Sequence, residues 1–267
     1  GCFNCEQLGT YPASKGFDNS EWNWNKKKTL FTGLNLTIVT PSQWLKDIVM
    51  NSYLKNYRCE VINNGIDLDI FKPVGNSEIE KTREKYDLDA RKIVLGVASE
   101  WTPRKGLLDF IKLSEMLQDV QFVVVGLTER QIKEMTPNIK GIKRTENQRE
   151  LAALYTIADV FFNPTYEDNF PTTNLEALAC GTPVITYDTG GSPEEIRNIR
   201  TSRGMTVGEI IRKKNCRKTD LNEVVNRLTK WLETDNKKLQ PFEYGGNLDS
   251  KQCFDNYLAL YEKIGGK

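Results

Sequence analysis

Two regimes of apolar patterning divide the chain. Through residue 35 the apolar positions are scattered among polar ones, and this stretch reads as irregular, with Lys26, Lys27 and Lys28 suiting a solvated helix face. Residues 36–40 then read as a short strand, Ser42 as the N-cap of a helix over 43–53, and residues 59–62 as a second strand. Asn63-Asn64-Gly65 reads as a turn, because Asn and Gly tolerate positive φ. Phe71-Lys72-Pro73 and Gly75 mark a linker exit.

From about residue 90 apolar runs alternate with helical periodicity. The pattern predicts strands over 92–98, 120–125, 139–142, 160–162 and 183–187, and helices over 106–117, 128–135, 148–158 and 172–179, the last closed by Gly181. Residues 221–232 and 249–264 are helical by pattern. Strands apolar on both faces that alternate with helices indicate a parallel sheet covered on both sides. The expected fold class is therefore α/β, a doubly wound parallel sheet with its ligand crevice at the carboxyl ends of the strands.

Composition narrows the chemistry. A length of 267 residues suits one domain plus a substantial piece of another. Lys plus Arg is 37 against 36 for Asp plus Glu, so no nucleic-acid footprint is expected. No apolar run approaches the roughly 18 residues of a spanning helix. The start, Gly1-Cys2-Phe3-Asn4-Cys5, lacks the basic and apolar stretches of a signal peptide and lacks Met, which points to a piece of a longer protein. The chain has no histidine, so a Ser-His-Asp triad, a Cys-His pair and any His-ligated metal are excluded within it. Cys59, Cys180, Cys216 and Cys253 read as reduced cytosolic thiols. Cys2 and Cys5 have the spacing of half a zinc site without the other half, and no function is assigned to them.

Two segments follow strands and open helices. In Ser99-Glu100-Trp101-Thr102-Pro103-Arg104-Lys105-Gly106, two cations beside a helix N-terminus would suit a diphosphate; a solvated basic loop fits equally well. In the run from Tyr166 to Val184, Pro171 suits the first helical position and the amides of Thr172 and Thr173 are free to face an anion. Asp168 and Glu176 flank those amides and are placed to receive sugar hydroxyls. An acidic helix start with no ligand remains an alternative.

The second run resembles the signature of the family-four retaining glycosyltransferases, which have the GT-B fold of two facing Rossmann-like domains. That signature is an acid, seven residues, a Glu, then Ala-x-Ala-x-Gly-x-Pro-Val. Here seven residues separate Asp168 from Glu176, and Glu176-Ala177-Leu178-Ala179-Cys180-Gly181-Thr182-Pro183-Val184 follows. The first acid is Asp where the family usually has Glu, and Asn169-Phe170-Pro171 stands for the usual Gly-Phe-Gly. Thr40-Pro41-Ser42-Gln43-Trp44-Leu45, Asn64-Gly65-Ile66-Asp67 and Asp188-Thr189-Gly190-Gly191-Ser192-Pro193-Glu194 resemble further family segments. Glu100 stands where the family often has Arg.

The resemblance implies roles. Asp168 would meet donor-sugar hydroxyls, and Asn169, Phe170, Pro171, Thr172 and Thr173 would line the sugar and phosphate. Glu176 would accept the ribose hydroxyls. Lys105, helped by Arg104, would neutralise the leaving diphosphate, Gly126 would let the nucleotide approach, and Arg144 and Thr145 would flank the base. The donor would be a UDP- or GDP-sugar, with no metal and no other cofactor expected. The acceptor would be a glycan or a lipid-linked acceptor, in polysaccharide or cell-surface glycoconjugate synthesis. The expected setting is cytoplasmic, at or near the inner face of a membrane to which the absent N-terminal domain would attach peripherally. Residues 1–74 would be a remnant of that acceptor domain and the linker, 75–245 the donor-binding domain, and 246–267 a helix packing back on the N-terminal part. The full-length protein would be a hexosyltransferase-type enzyme, and this chain alone would transfer little or nothing. The alternatives are a sugar-nucleotide-binding module without transfer, a GT-B epimerase or phosphorylase, and a dinucleotide oxidoreductase. Against the last, no Gly-x-Gly-x-x-Gly follows a predicted strand.

Overall fold

Val94, Leu95, Phe122, Val124, Phe161 and Phe162 are all inaccessible to solvent, and they belong to adjacent strands of one sheet. The computed structural model describes residues 3–6, 8, 9, 14, 16–199, 206–213, 220–234 and 248–266. Its elements run α1 (Ser20–Phe31), β1 (Thr37–Thr40), α2 (Gln43–Met50), β2 (Arg58–Val61), α3 (Asn76–Lys85), β3 (Lys92–Val97), a 3₁₀ turn (Pro103–Lys105), α4 (Leu107–Met116), β4 (Val120–Val125), α5 (Glu129–Lys133), β5 (Ile139–Ile142), α6 (Gln148–Ile157), β6 (Val160–Asn163), α7 (Thr172–Ala179), β7 (Val184–Tyr187), α8 (Ser192–Asn198), β8 (Gly208–Ile211), α9 (Leu221–Glu233) and α10 (Ser250–Gly265).

The main sheet has the order β5-β4-β3-β6-β7-β8, with every pair parallel. The chain winds outward from β3 to β5, crosses back, and lays β6 beside β3 with Val94 opposite Val160 and Leu95 opposite Phe161. This is the expected doubly wound α/β fold, and the β3–β6 junction is its topological switch point. Alternate residues of each strand enter opposite core layers. Leu95, Val123 and Phe161 pack with Leu154, Tyr155 and Leu175 of α6 and α7. Val94, Phe122, Phe162 and Tyr187 pack with Phe110 of α4 and with Val224, Leu228 and Leu232 of α9. The latter three recur every fourth residue, the spacing of a helix that buries one stripe.

β1 and β2 form a separate parallel pair ahead of this sheet. The stretch before them is not wholly irregular, because α1 occupies residues 20–31. It buries none of its side chains, so it carries no apolar periodicity to read. Its three lysines are exposed. Nor do Asn63, Asn64 or Gly65 adopt positive φ. Gly65 has a different requirement: a Cβ there would lie 2.6 Å from the backbone of Ser250. At this point the C-terminal segment returns to the linker, Ile66 N–H donating to Leu248 O over 2.8 Å and Ser250 N–H to Ile66 O over 2.9 Å. Among the described residues no helix is long and apolar enough to cross a membrane.

Candidate functional site

Because β3 and β6 are neighbours, the loops leaving their carboxyl ends run side by side. The Tyr166 N–H donates to the Arg104 carbonyl over 2.7 Å and ties the two loops together. Lys105 Nζ then lies 2.5 Å from Asp168 Oδ2, with side-chain exposures of 33% and 19%. The two segments singled out in the sequence are thus joined across the switch point by an ion pair. Arg104 points elsewhere, to Glu167 at 3.5 Å, with both side chains more than half exposed. Lys105 is the cation on the inner side.

The Asp168 loop leads into α7. The first helical residue is Thr172, as the pattern predicts, and Pro171 is the N-cap rather than the first helical position. The reason is simple: Pro171 has ψ 110°, an extended value, so the helix starts after it. No side chain caps this helix. Its first N–H groups have no partners inside the helix either, as at any helix start. Phe170 is buried, Asn169 is exposed, and Thr172 and Thr173 are half-buried.

Glu176 lies one turn further along. Its Oε2 accepts the Tyr155 hydroxyl at 2.9 Å, and Tyr155 itself is fully buried on α6. Burial pushes the Glu176 carboxyl up to about 7, against hydrogen bonds from the Tyr155 and Thr172 hydroxyls that favour the charged form. Burial likewise raises Tyr155, with the Glu176 charge acting in the same direction. Tyr155 therefore serves as a donor to Glu176.

The remaining sequence candidates lie around this centre. Gly126 ends β4 with φ +99°, and a Cβ there would fall 1.8 Å from the Ala98 carbonyl oxygen. Close approach of two strand ends thus requires glycine at this position before any ligand is considered. Arg144 is exposed and Thr145 half-buried after β5, two strands away from β3 in the sheet. Among the described residues no hydrogen bond or ion pair joins them to Lys105 or Asp168. Nor does any group of three His, Cys, Asp or Glu side chains there converge to hold a metal. Cys2, half of the Cys-x-x-Cys spacing, lies outside the described residues, as does Cys216.

Several supporting residues escaped the sequence reading. Asn174, in the first turn of α7, donates to Glu195 Oε2 at 2.6 Å and to Ser192 Oγ at 3.1 Å, and accepts from Asn163 Nδ2 at 2.8 Å. All four are buried, and burial holds the Glu195 carboxyl well above its ordinary range, with the Asp168 and Glu194 charges adding to the effect. Asp109 Oδ2 accepts the hydroxyls of both Tyr166 and Tyr187 at 2.7 Å, anchoring the β6 loop to α4 and β7. The available signal was a polar residue inside an otherwise apolar element, as at Asn163, Asn174 and Asp109.

Residues 78–245 match the sequence profile of the family described as Glycosyl transferases group 1, which is more than half of the chain. The chain belongs to that family. Among its relatives, the alpha-galactosylglucosyldiacylglycerol synthase of Streptococcus pneumoniae is 29% identical over 168 residues, 58% of this chain and 44% of that protein. The chain thus spans about half the length of such relatives. Among solved structures, a glycosyltransferase from Rickettsia africae superposes with a TM-score of 0.74 at 21% identity, over 97% of this chain and 79% of that one. The Anabaena protein HepE, in complex with UDP and glucose, superposes with a TM-score of 0.70 at 18% identity, over 91% of this chain and 67% of that one. The fold is accordingly the GT-B type, and the doubly wound sheet corresponds to its C-terminal domain.

Proposed function

We propose that the protein is a retaining family-four hexosyltransferase. In this reading it moves a sugar from a UDP- or GDP-sugar to a glycan or lipid-linked acceptor, in polysaccharide or glycoconjugate assembly in the cytoplasm or at the inner face of its membrane. This chain carries the donor-binding half. The observation that supports the reading most directly is the Lys105–Asp168 pair, set across the switch point at the open mouth of α7. A relative named as a glycolipid synthase points the same way, as does a structural neighbour that holds UDP and glucose.

In this reading the diphosphate lies against the amides of Thr172 and Thr173, where a helix start favours anions. Lys105 offsets the charge that grows on the leaving oxygen as the glycosidic bond to phosphate breaks. Arg104 adds a more distant positive charge from its exposed position. Asp168 and the backbone around Asn169, Phe170 and Pro171 hold the sugar, whose hydroxyls donate to the carboxylate. Glu176, oriented by Tyr155, takes the ribose hydroxyls, while Gly126, Arg144 and Thr145 border the nucleoside. Charge stabilisation by Lys105 and the amides needs no divalent ion. Calorimetric titration of this chain with UDP, GDP and their sugar conjugates tests the reading; binding of none at millimolar concentration rejects it. The stereochemistry of the product made by the full-length protein tests retention.

A further inference from the structure

The turn between β7 and α8 runs directly beneath the donor loop. The Gly191 N–H donates to the Asp168 carbonyl over 3.1 Å. A Cβ on Gly190 would lie 1.8 Å from the Asp168 carbonyl oxygen, and one on Gly191 equally close to that of Asn169. The segment before α2 meets the turn at the same place: the added Cβ of Gly191 would also fall 2.8 Å from Ser42 Cβ. Three residues on, the Glu194 carboxylate accepts the backbone N–H of Gln43 at 2.9 Å and that of Trp44 at 2.7 Å, one on each oxygen. Gln43 and Trp44 open α2, and Ser42 Oγ accepts from Leu45 N–H, the third in line. These are the groups an α-helix cannot satisfy internally, and the partial positive charge of a helix start strengthens their bonds to a carboxylate. Ser42 is wholly buried, so the junction is shielded from water on that side. Asn64 Nδ2 adds a bond to the Phe170 carbonyl over 3.2 Å from the same side.

We propose that Glu194 is a positioning residue for sugar transfer: its grip on the first turn of α2 seats the Gly190–Gly191 turn, and with it the Asp168–Asn169 loop against the donor sugar. The proposal rests on the donor-site reading above. It assigns Glu194 an effect confined to the sugar end, because the turn touches residues 168 and 169, whereas Glu176 is held by α6 and α7.

The test compares the wild type with Glu194→Ala and Gln43→Pro. Proline suits the first helical position and follows an extended Ser42, so it deletes one of the two bonds without opposing the helix. Two quantities are measured: amide exchange at Trp44, and the ratio of affinities for the preferred sugar nucleotide and its parent, UDP or GDP. Loss of charge-assisted bonds should speed exchange and lower that ratio by about fivefold or more, leaving affinity for the parent diphosphate within about twofold. Gln43→Pro should fall between wild type and Glu194→Ala, and it carries the test alone if the alanine variant does not fold. A lower melting temperature with an unchanged ratio makes the contact merely structural and overturns the proposal. Unchanged exchange at Trp44 overturns it too. A wild type that binds no diphosphate removes the donor-site reading and the proposal together.

Discussion

Tyr155, sealed in the core, gives its hydroxyl to a Glu176 carboxyl that titrates near neutrality. A carboxyl raised from 4.5 to about 7 binds its proton more tightly in the folded chain than in the unfolded one. Its stabilising contribution is therefore full below about pH 4.5 and is lost as the pH rises through 7, by up to about 3 kcal/mol. Urea unfolding at pH 5 and pH 8 should show that loss in the wild type and a smaller one in Glu176→Gln. Parallel losses would refute the raised value.

The same titration should govern nucleotide binding. A ribose hydroxyl donates best to the charged carboxylate, so affinity for UDP or GDP should rise between about pH 6 and 8. Tyr155→Phe removes a bond that favours the charged form, and should move the midpoint of that rise upward. Glu176→Ala measured at pH 8 should lose about 1–3 kcal/mol of affinity. An unchanged dissociation constant would remove Glu176 from the ribose site.

Lys105→Ala should separate phosphate from nucleoside recognition. Loss of a charged hydrogen bond to the diphosphate costs about 1.5–3 kcal/mol, while binding of the nucleoside alone should stay the same. The half-exposed ion pair with Asp168 contributes little to folding, so the variant should melt within a few degrees of the wild type. Equal weakening of both ligands would rule out the phosphate role.

Gly126→Ala checks the crowding at the β3 and β4 ends. Positive φ and a carbonyl within 1.8 Å of the new methyl should destabilise the chain by at least about 2 kcal/mol in denaturant unfolding. Retained stability would show that the Ala98 carbonyl does not crowd Gly126.

What local sequence revealed and what it hid follow from burial and separation. Val94, Val123 and Phe161 announce strands because both faces of the sheet are covered, which leaves long apolar runs. The helix of Val224, Leu228 and Leu232 shows through its single buried stripe. α1 has no buried face, and α3 buries only Thr82, so neither leaves a periodic trace. β8 is only four residues long and opens on glycine. Lys105 and Asp168 were each visible as residues beyond a strand, but their contact depends on β6 returning beside β3, a pairing no local window contains. Tyr155 meets Glu176 across two helices, and Glu194 meets Trp44 across 150 residues of sequence. The local error at Asn63-Asn64-Gly65 came from crediting glycine with an unusual backbone angle when the need was room for a passing chain.

That passing chain has a mechanical meaning. The Ile66–Asp249 bridge closes residues 66 to 249 into a loop with a single narrow neck, where the polypeptide enters and leaves the large sheet side by side. The Glu194 bonds to Gln43 and Trp44 brace the segment before Ile66 against the sheet a second time. Its orientation is thus fixed at two points, the neck and the first turn of α2.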